Sequence, residues 1–171
     1  MRNLIKAGIC LLTISVLFTF CKPKEQPAGL EEDTVEGTAD LPSFLMINEN
    51  REKINLRDFQ GRKLFVNLWA TWCPPCRAEL PSIQKLYNST SRDNSEFIML
   101  SLDDNFQSAL FYFSQEKFNF PLFQPAQNLP ELFSVRGIPV TFIFDENGKL
   151  IYRKDGSDDY DKDKFREILE N

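Results

Sequence analysis

Two cysteines separated by two prolines form the part of this sequence best suited to chemistry. Cys73 and Cys76 stand in the run WATWCPPCR at residues 69–77, after an apolar stretch at 64–69 and before a helical pattern. This context places Cys73 at the N-terminus of a helix, where the macrodipole and free backbone N–H groups favour a thiolate. A thiolate with a second thiol within reach can exchange disulfides. The motif therefore predicts thiol–disulfide chemistry.

Zinc binding and a purely structural disulfide are the alternative uses of such a pair. A structural zinc site takes four ligands, yet the sequence adds only Cys10 and Cys21, both in an apolar N-terminal stretch, and no histidine. A structural disulfide usually closes a longer loop, because a spacing of two residues removes little entropy from the unfolded chain. Redox activity is therefore the favoured interpretation of Cys73 and Cys76.

The composition argues against several other classes of protein. Without histidine, Ser-His-Asp and Cys-His nucleophilic catalysis are missing in their usual form, and Arg77 stands where haem attachment through Cys-x-x-Cys needs a histidine. The sequence has seven glycines and no glycine-rich phosphate loop. Aspartate and glutamate outnumber lysine and arginine by 25 to 20, which argues against nucleic acid as a partner.

The N-terminus has the pattern of an export signal. Arg2 and Lys6 precede an apolar stretch, residues 7–20, that is short for a membrane-spanning helix. Cys21 ends this stretch and resembles the lipidation site of bacterial lipoproteins, although Phe20 replaces the small residue that is usual before it. An uncleaved signal anchor is the alternative. Both interpretations predict a domain that is exported and anchored to a membrane of the cell envelope.

The composition divides the chain into three segments. Residues 1–21 form the signal or anchor, and residues 22–40, with their acidic residues, prolines and glycines, form a flexible tether. Residues 41–171 make one domain in which strand and helix patterns alternate, which indicates an α/β fold. The expected elements are a hairpin at 44–47 and 54–56, strands at 63–69 and 97–102, a helix directly after the cysteines, a helix at 105–118, a hairpin at 140–144 and 150–153, and a helix around 165–169.

Two motifs resemble those of a known family: WCPPCRAELP at residues 72–81 and GIPVT at residues 137–141. Together they resemble the thioredoxin superfamily and, more closely, its membrane-tethered TlpA/ResA branch of thiol-disulfide oxidoreductases. The resemblance covers roughly residues 41–169. It implies a thioredoxin fold, which is a central mixed sheet flanked by helices, with an N-terminal β-hairpin and a helical insert at 105–118.

The resemblance also implies roles for the cysteines and their surroundings. Cys73 matches the exposed nucleophile of the family and Cys76 its buried resolving thiol, so the two form the redox disulfide. Pro139 matches a proline that is cis in this family and lies beside the cysteines, and Ile138 would offer its backbone to an extended substrate. The expected substrate-binding residues are Trp72, Pro74, Ile138 and Pro139.

Three polar residues complete the expected site. Asn67 stands where thioredoxin carries a buried aspartate, so the usual proton acceptor for the resolving thiol is missing. Glu79, almost one helical turn beyond Cys76, matches a carboxylate of the TlpA/ResA branch and is expected to take that proton or to tune both thiols. Asp104 matches a second acidic residue of that branch, and a solvated loop or helix-cap acid is its alternative role.

The implied reaction is thiol–disulfide exchange, in which Cys73 attacks a substrate disulfide and Cys76 resolves the mixed disulfide. No metal or organic cofactor is expected. The implied partners are a disulfide-containing protein and a membrane thiol-disulfide electron donor. The exported branch commonly acts as a reductant, often in cytochrome c maturation.

Other functions fit part of the pattern. A peroxiredoxin-like thiol peroxidase shares much of this core, but residues 65–73 lack the proline of its Pro-x-x-x-Thr/Ser-x-x-Cys motif. A copper chaperone of the same fold needs Cys-x-x-x-Cys and a distant histidine, and the sequence has neither. A non-enzymatic surface module with a thioredoxin-like fold is the alternative of a different class, although a binding role requires neither the Cys-x-x-Cys motif nor Pro139.

Overall fold

The centre of the fold consists of two strands whose side chains are almost all buried. The computed structural model describes residues 39–171. In it, β3 (Lys63–Trp69) and β4 (Ser95–Ser101) pair in parallel along their whole length. Such strands are apolar on both faces because other parts of the chain cover both sides of the sheet. The expected strands at 63–69 and 97–102 are confirmed, the second with a slightly earlier start.

Five further strands extend this pair into a seven-stranded mixed sheet. They are β1 (Leu45–Asn48), β2 (Lys53–Asn55), β5 (Leu122–Pro125), β6 (Val140–Phe144) and β7 (Leu150–Asp155). The order across the sheet is β2-β1-β5-β4-β3-β6-β7, and β6 runs antiparallel to both β3 and β7. Both expected hairpins, β1–β2 and β6–β7, are present. No sequence pattern predicts β5, which joins the N-terminal hairpin to the rest of the sheet.

Three α-helices in the described residues pack on one face of the sheet. They are α1 (Pro74–Ser89), α2 (Phe106–Glu116) and α3 (Asp163–Glu170). Because side chains alternate along a strand, Phe65 and Trp69 of β3 lie on this helix face and are fully buried there. The α2 helix lies between β4 and β5, at the position expected for the helical insert.

The opposite face of the sheet is covered by shorter segments. Every second residue of β3 from Leu64 packs there against Phe44 and against two short 3-10 helices, Leu56–Phe59 and Glu131–Phe133. The rings of Phe44 and Phe133 meet edge to face, with centroids 6.0 Å apart. The architecture is the expected α/β fold, with a central mixed sheet and an N-terminal β-hairpin.

The expectations for the N-terminus fall outside the part of the chain that the structure describes. These are the signal or anchor at 1–21, its lipidation candidate Cys21, and most of the tether at 22–40. The last two residues of that tether, Ala39 and Asp40, do lie in the structure. The Ala39 carbonyl oxygen accepts a hydrogen bond from the N–H of Leu150, the first residue of β7, and Asp40 pairs with Lys149 in the turn before it. No helix within the described residues is long and apolar enough to cross a membrane.

Candidate active site

The two cysteines of the motif form a disulfide at the N-terminus of α1. Their Cα atoms are 5.3 Å apart, and Cys73 is the N-cap residue of the helix. The backbone N–H of Cys76 donates a hydrogen bond to Cys73 Sγ at 3.3 Å. Pro74 and Pro75 occupy the first helical positions, where a backbone N–H has no partner within the helix. Because a helix N-terminus favours negative charge, this arrangement stabilises a thiolate on Cys73 once the disulfide is reduced.

Cys73 is the more accessible of the two cysteines, but only slightly. It keeps 4% of its surface exposed, whereas Cys76 is fully buried. In this disulfide form Cys73 is therefore less exposed than the family role suggests, and the Ile138 carbonyl oxygen lies 3.6 Å from its Sγ. Trp72 is 65% exposed and Pro74 is exposed as well. The surface around the sulfur is thus open to a partner even though the sulfur itself is nearly covered.

The second motif meets the cysteines at the end of the sheet. The peptide bond between Ile138 and Pro139 is cis, as expected, and Pro139 directly precedes β6. Since β6 pairs with β3 and β3 leads into the cysteine motif, Ile138 lies beside Cys73 although 65 positions separate them in sequence. The expected proximity of the two motifs is confirmed.

Glu79 lies on α1 almost one turn beyond Cys76, and it is buried. Only 3% of the residue is exposed. Asn67 Nδ2 donates a hydrogen bond to Glu79 Oε1 at 2.8 Å, and the backbone N–H of Asp158 donates to Oε2 at 3.2 Å. Each carboxylate oxygen therefore receives a hydrogen bond from an uncharged donor.

Burial controls the titration of Glu79. Its removal from water raises the pKa of the carboxyl to about 7, and the negative charge of Asp158 contributes to the increase. The hydrogen bonds from Asn67 and from the Asp158 backbone lower the pKa, but the effect of burial is larger. A carboxyl group with a pKa near neutrality can accept and release a proton at ordinary pH, which makes it suited to general acid–base work.

Asn67 connects Glu79 to the neighbouring strand. It is fully buried in β3, directly opposite Thr141 of β6, and its Nδ2 also donates to Thr141 Oγ1 at 2.9 Å. The Tyr160 hydroxyl donates to the same oxygen at 2.6 Å. An amide nitrogen is a donor only, so Asn67 holds the carboxylate in place and cannot itself accept a proton through this nitrogen.

The loop between β7 and α3 covers Glu79, and no local pattern predicts it. The Tyr160 backbone N–H donates to Ser82 Oγ at 3.0 Å, and that hydroxyl donates to the Glu79 carbonyl oxygen at 2.7 Å. Together with the Asp158 N–H, these contacts fasten the loop over the carboxylate. Thr141 has a recognisable signal, because it is the one polar residue in the apolar strand β6. The loop residues have no such signal in the sequence, because the α1 residues that they contact are almost 80 positions away.

The acidic residue that supports the cysteine motif is Asp103, not Asp104. Asp103 accepts hydrogen bonds from the Thr71 backbone N–H at 3.1 Å, from the Thr71 hydroxyl at 2.6 Å and from the Ser101 hydroxyl at 2.8 Å. Asp104 is exposed, and no hydrogen bond or ion pair joins its side chain to another described residue. The expectation of a role for Asp104 at the cysteines therefore has no contact to support it, and its alternative role as a solvated loop acid fits better.

Replacing Asp103 should loosen the segment that leads into the cysteines. In an Asp103→Ala variant the Thr71 N–H and both hydroxyls lose their acceptor, and we expect the free energy of unfolding to fall by about 1–3 kcal/mol. Urea denaturation of the oxidised protein measures the loss. Asp104→Ala is the matched control, with the same change one residue later and no expected loss. Equal effects of the two substitutions would contradict the assignment.

The chain is similar in sequence to one family and to several curated proteins. A sequence profile of the Redoxin family matches residues 36–169. The chain is 29% identical over 140 residues to the thiol-disulfide oxidoreductase ResA of Bacillus cereus (strain ATCC 10987), covering 81% of this chain and 80% of the relative. It is 30% identical over 137 residues to the thioredoxin-like protein YneN of Bacillus subtilis (strain 168), covering 73% and 75%.

Solved structures share the fold. StoA from Bacillus subtilis superposes with a TM-score of 0.64 at 26% identity, covering 75% of this chain and 97% of the StoA chain. A thiol:disulfide interchange protein DsbE from Chlorobium tepidum gives a TM-score of 0.68 at 24% identity, covering 78% and 94%. At 24% identity the similarity to DsbE shows the fold alone. Both structures identify the fold of this chain as a thioredoxin fold.

Proposed function

The chain belongs to the Redoxin family as a TlpA/ResA-like member of the thioredoxin superfamily, and we propose that it reduces protein disulfides through Cys73 and Cys76. It is a thiol-disulfide oxidoreductase. The observation that carries the proposal is the disulfide at the start of α1, in which the Cys76 N–H points at Cys73 Sγ while the Ile138 backbone lies beside it. A thiolate at Cys73 is thus stabilised next to backbone groups that an extended substrate can pair with.

The reaction runs through a mixed disulfide. The Cys73 thiolate attacks one sulfur of the substrate disulfide, and the other sulfur leaves as a thiolate that takes up a proton. Cys76, once deprotonated, attacks Cys73 Sγ and forms the disulfide seen here, and the first substrate sulfur leaves as the second thiol. Two electrons pass from the cysteine pair to the substrate. The steps need no metal ion, and within residues 39–171 no group of three or more acidic or cysteine side chains is arranged to hold one.

Glu79 is the base that we assign to Cys76. Cys76 is fully buried, so water is poorly placed to take its proton, and the neutral amide of Asn67 is no base. Glu79 lies on the same helix almost one turn away, with a pKa of about 7. At neutral pH a large fraction of the protein therefore carries the carboxylate that can accept the proton.

Substrate binding falls to the residues around Cys73. Trp72 and Pro74 present exposed surface beside the sulfur, and the carbonyl oxygen of Ile138, at the cis bond to Pro139, lies 3.6 Å from it. An extended substrate segment that pairs with the Ile138 backbone would bring its own cysteine against Cys73, as in other cases of strand addition.

Reduction of a protein disulfide by the pre-reduced chain tests the proposed function. We expect the reduced protein to reduce a model protein disulfide stoichiometrically and to end in the Cys73–Cys76 disulfide, measured by thiol trapping and mass spectrometry. Rapid turnover of hydrogen peroxide in place of the protein disulfide would favour a thiol peroxidase. No reaction with either oxidant would favour the non-enzymatic surface module with a thioredoxin-like fold.

The cell envelope is the proposed location, with the chain exported and anchored through a lipidated Cys21. The support is the charged and apolar pattern of residues 1–21. When the full chain is expressed in a bacterium fed with labelled palmitate, we expect label in the membrane fraction. Cys21→Ser should lose the label, whereas the matched control Cys10→Ser should keep it. A wild-type chain that stays in the membrane fraction without label would indicate the uncleaved signal anchor.

A membrane thiol-disulfide carrier is the proposed electron donor, and cytochrome c maturation is the proposed pathway. An exported reductant needs electrons from across the membrane, because the cell exterior and the periplasm are oxidising. Deletion of the gene should lower the content of covalently bound haem in the membrane fraction. An unchanged haem content would exclude a role in cytochrome c maturation and would not bear on the oxidoreductase activity.

A further inference from the structure

An apolar groove begins at Trp72 and follows the backbone of the Ile138 loop. Its volume is about 510 Å³. Its lining includes Trp72, Leu102, Leu129, Arg136 and Ile138. Of all the residues that line the groove, Arg136 is the one with an ionisable side chain. A partner segment in this groove would therefore meet apolar walls and a single positive charge.

The same loop also lines a second depression, of about 490 Å³. Its ionisable lining residues are Arg136, Arg153 and Asp155. Arg153 and Asp155 neutralise each other, because Arg153 Nε lies 2.9 Å from the Asp155 carboxylate. Arg136 is again the charge without a counterpart. It is exposed, and no hydrogen bond or ion pair joins it to another described residue.

The sign of this charge is opposite to that of the whole chain, which has a formal net charge of −5. A guanidinium group is weakly hydrated and binds a carboxylate through two parallel hydrogen bonds. Apolar walls strengthen such an interaction because they lower the local dielectric constant. The groove next to Cys73 is therefore suited to a carboxylate and unsuited to a second cation.

We propose that Arg136 selects substrates in which an acidic residue lies within about two or three residues of the reactive cysteine. Arg136 precedes Ile138 by two positions, and both residues line the groove that begins at Trp72. A substrate cysteine held against Cys73 by the Ile138 backbone would thus have side chains two or three positions away beside Arg136. The inference rests on the proposed function, since it concerns the substrate of the same two cysteines.

Three disulfide peptides that differ at one position test the charge preference. Each carries an intramolecular disulfide, with Glu, Gln or Lys two residues from the cysteine that reacts. The pre-reduced full chain is mixed with each peptide at pH 7 and low salt, and the second-order rate of reduction is measured by thiol trapping. We expect the Glu peptide to react about fivefold faster than the Gln peptide, the Lys peptide to react more slowly, and high salt to weaken the preference.

Charge reversal at the arginine supplies the decisive comparison. Arg136→Gln should remove the preference, and Arg136→Glu should reverse it in favour of the Lys peptide. Arg51→Gln is the matched control, because Arg51 is also exposed and lies in the β1–β2 turn, in the other half of the sheet. It should keep the wild-type preference.

The outcomes separate this inference from the proposed function. Equal rates for the three peptides with the wild-type chain, or a preference for Glu that survives Arg136→Glu, would overturn the role of Arg136 while the oxidoreductase activity stands. Failure to reduce any peptide and any protein disulfide would overturn the proposed function, and the substrate preference with it.

Discussion

A Cys76→Ser variant is expected to stop turning over and to remain covalently joined to its substrate. In the proposed reaction Cys73 attacks the substrate disulfide, and Cys76 resolves the mixed disulfide that forms. Turnover should fall by more than about 1,000-fold, as for other enzymes that lose an essential member of a catalytic pair. Non-reducing electrophoresis and mass spectrometry of the variant with a disulfide protein measure the trapped complex.

The substitution leaves the groups that activate Cys73 in place. The hydrogen bond to Cys73 Sγ comes from the backbone N–H of residue 76, which a serine retains. The pKa of the Cys73 thiol in this variant should therefore lie below the free value of about 8.5, as measured by alkylation rates across pH. Cys73→Ser is the control, which should form no trapped complex. A complex through Cys76 in that control would reverse the two roles.

Sequence patterns predict those elements whose structure is determined by neighbouring residues. The apolar run of β3 indicates a strand buried on both faces, and the proline pair after Cys73 indicates the start of a helix. Each of these signals lies within a few consecutive residues. The β5 strand lacks such a signal. Its four residues, LFQP, end in a proline, and they form a strand because β1 and β4 offer free edges on either side.

The same distinction separates the predicted from the unpredicted parts of the site. The spacing of Cys76 and Glu79 along a helix predicts that they share a region, but not that Glu79 is buried. Its burial comes from Asp158 and Tyr160 in a loop that is distant in sequence. Likewise, two adjacent acids follow β4, and only the folded end of that strand determines that Asp103 rather than Asp104 turns towards Thr71.

A Glu79→Gln variant is expected to slow the resolution step by about 100-fold, the usual contribution of a general base. The variant keeps the shape of the side chain but loses its proton-accepting charge. In the wild-type chain the rate of release from the mixed disulfide should rise with pH and level off above about 7, where the carboxylate form of Glu79 predominates. The variant should lack this inflection. Single-turnover kinetics between pH 5 and 9 measure both curves.

A matched substitution elsewhere on the helical surface serves as the control. Glu167 is exposed on α3, and Glu167→Gln changes the net charge by the same amount. Its resolution rate and its pH dependence should equal those of the wild-type chain. If Glu79→Gln behaved in the same way, Glu79 would be a structural acid without a part in proton transfer.

The free energy of unfolding should depend on pH in the direction expected for a buried carboxyl at Glu79. The folded pKa of about 7 lies above the pKa of 4.5 of an unperturbed glutamate. Below pH 4.5 both the folded and the unfolded chain hold the proton, and Glu79 contributes no pH dependence. Between 4.5 and 7 the unfolded chain binds fewer protons, so the wild-type free energy of unfolding falls as the pH rises, by roughly 3 kcal/mol in total.

Glu79→Gln removes this pH-dependent loss. A glutamine has one side-chain oxygen for the donors from Asn67 and Asp158, and a protonated glutamate likewise has one carbonyl oxygen, so the two side chains are nearly equivalent at pH 4. The two proteins should therefore be about equally stable at pH 4, and the variant should be more stable than the wild-type chain by roughly 3 kcal/mol at pH 8. Urea denaturation of both oxidised proteins at pH 4, 6 and 8 measures the difference, since the other ionisable groups cancel in it. Parallel stability curves would mean that Glu79 titrates as an ordinary surface acid, and the base for Cys76 would have to be sought elsewhere.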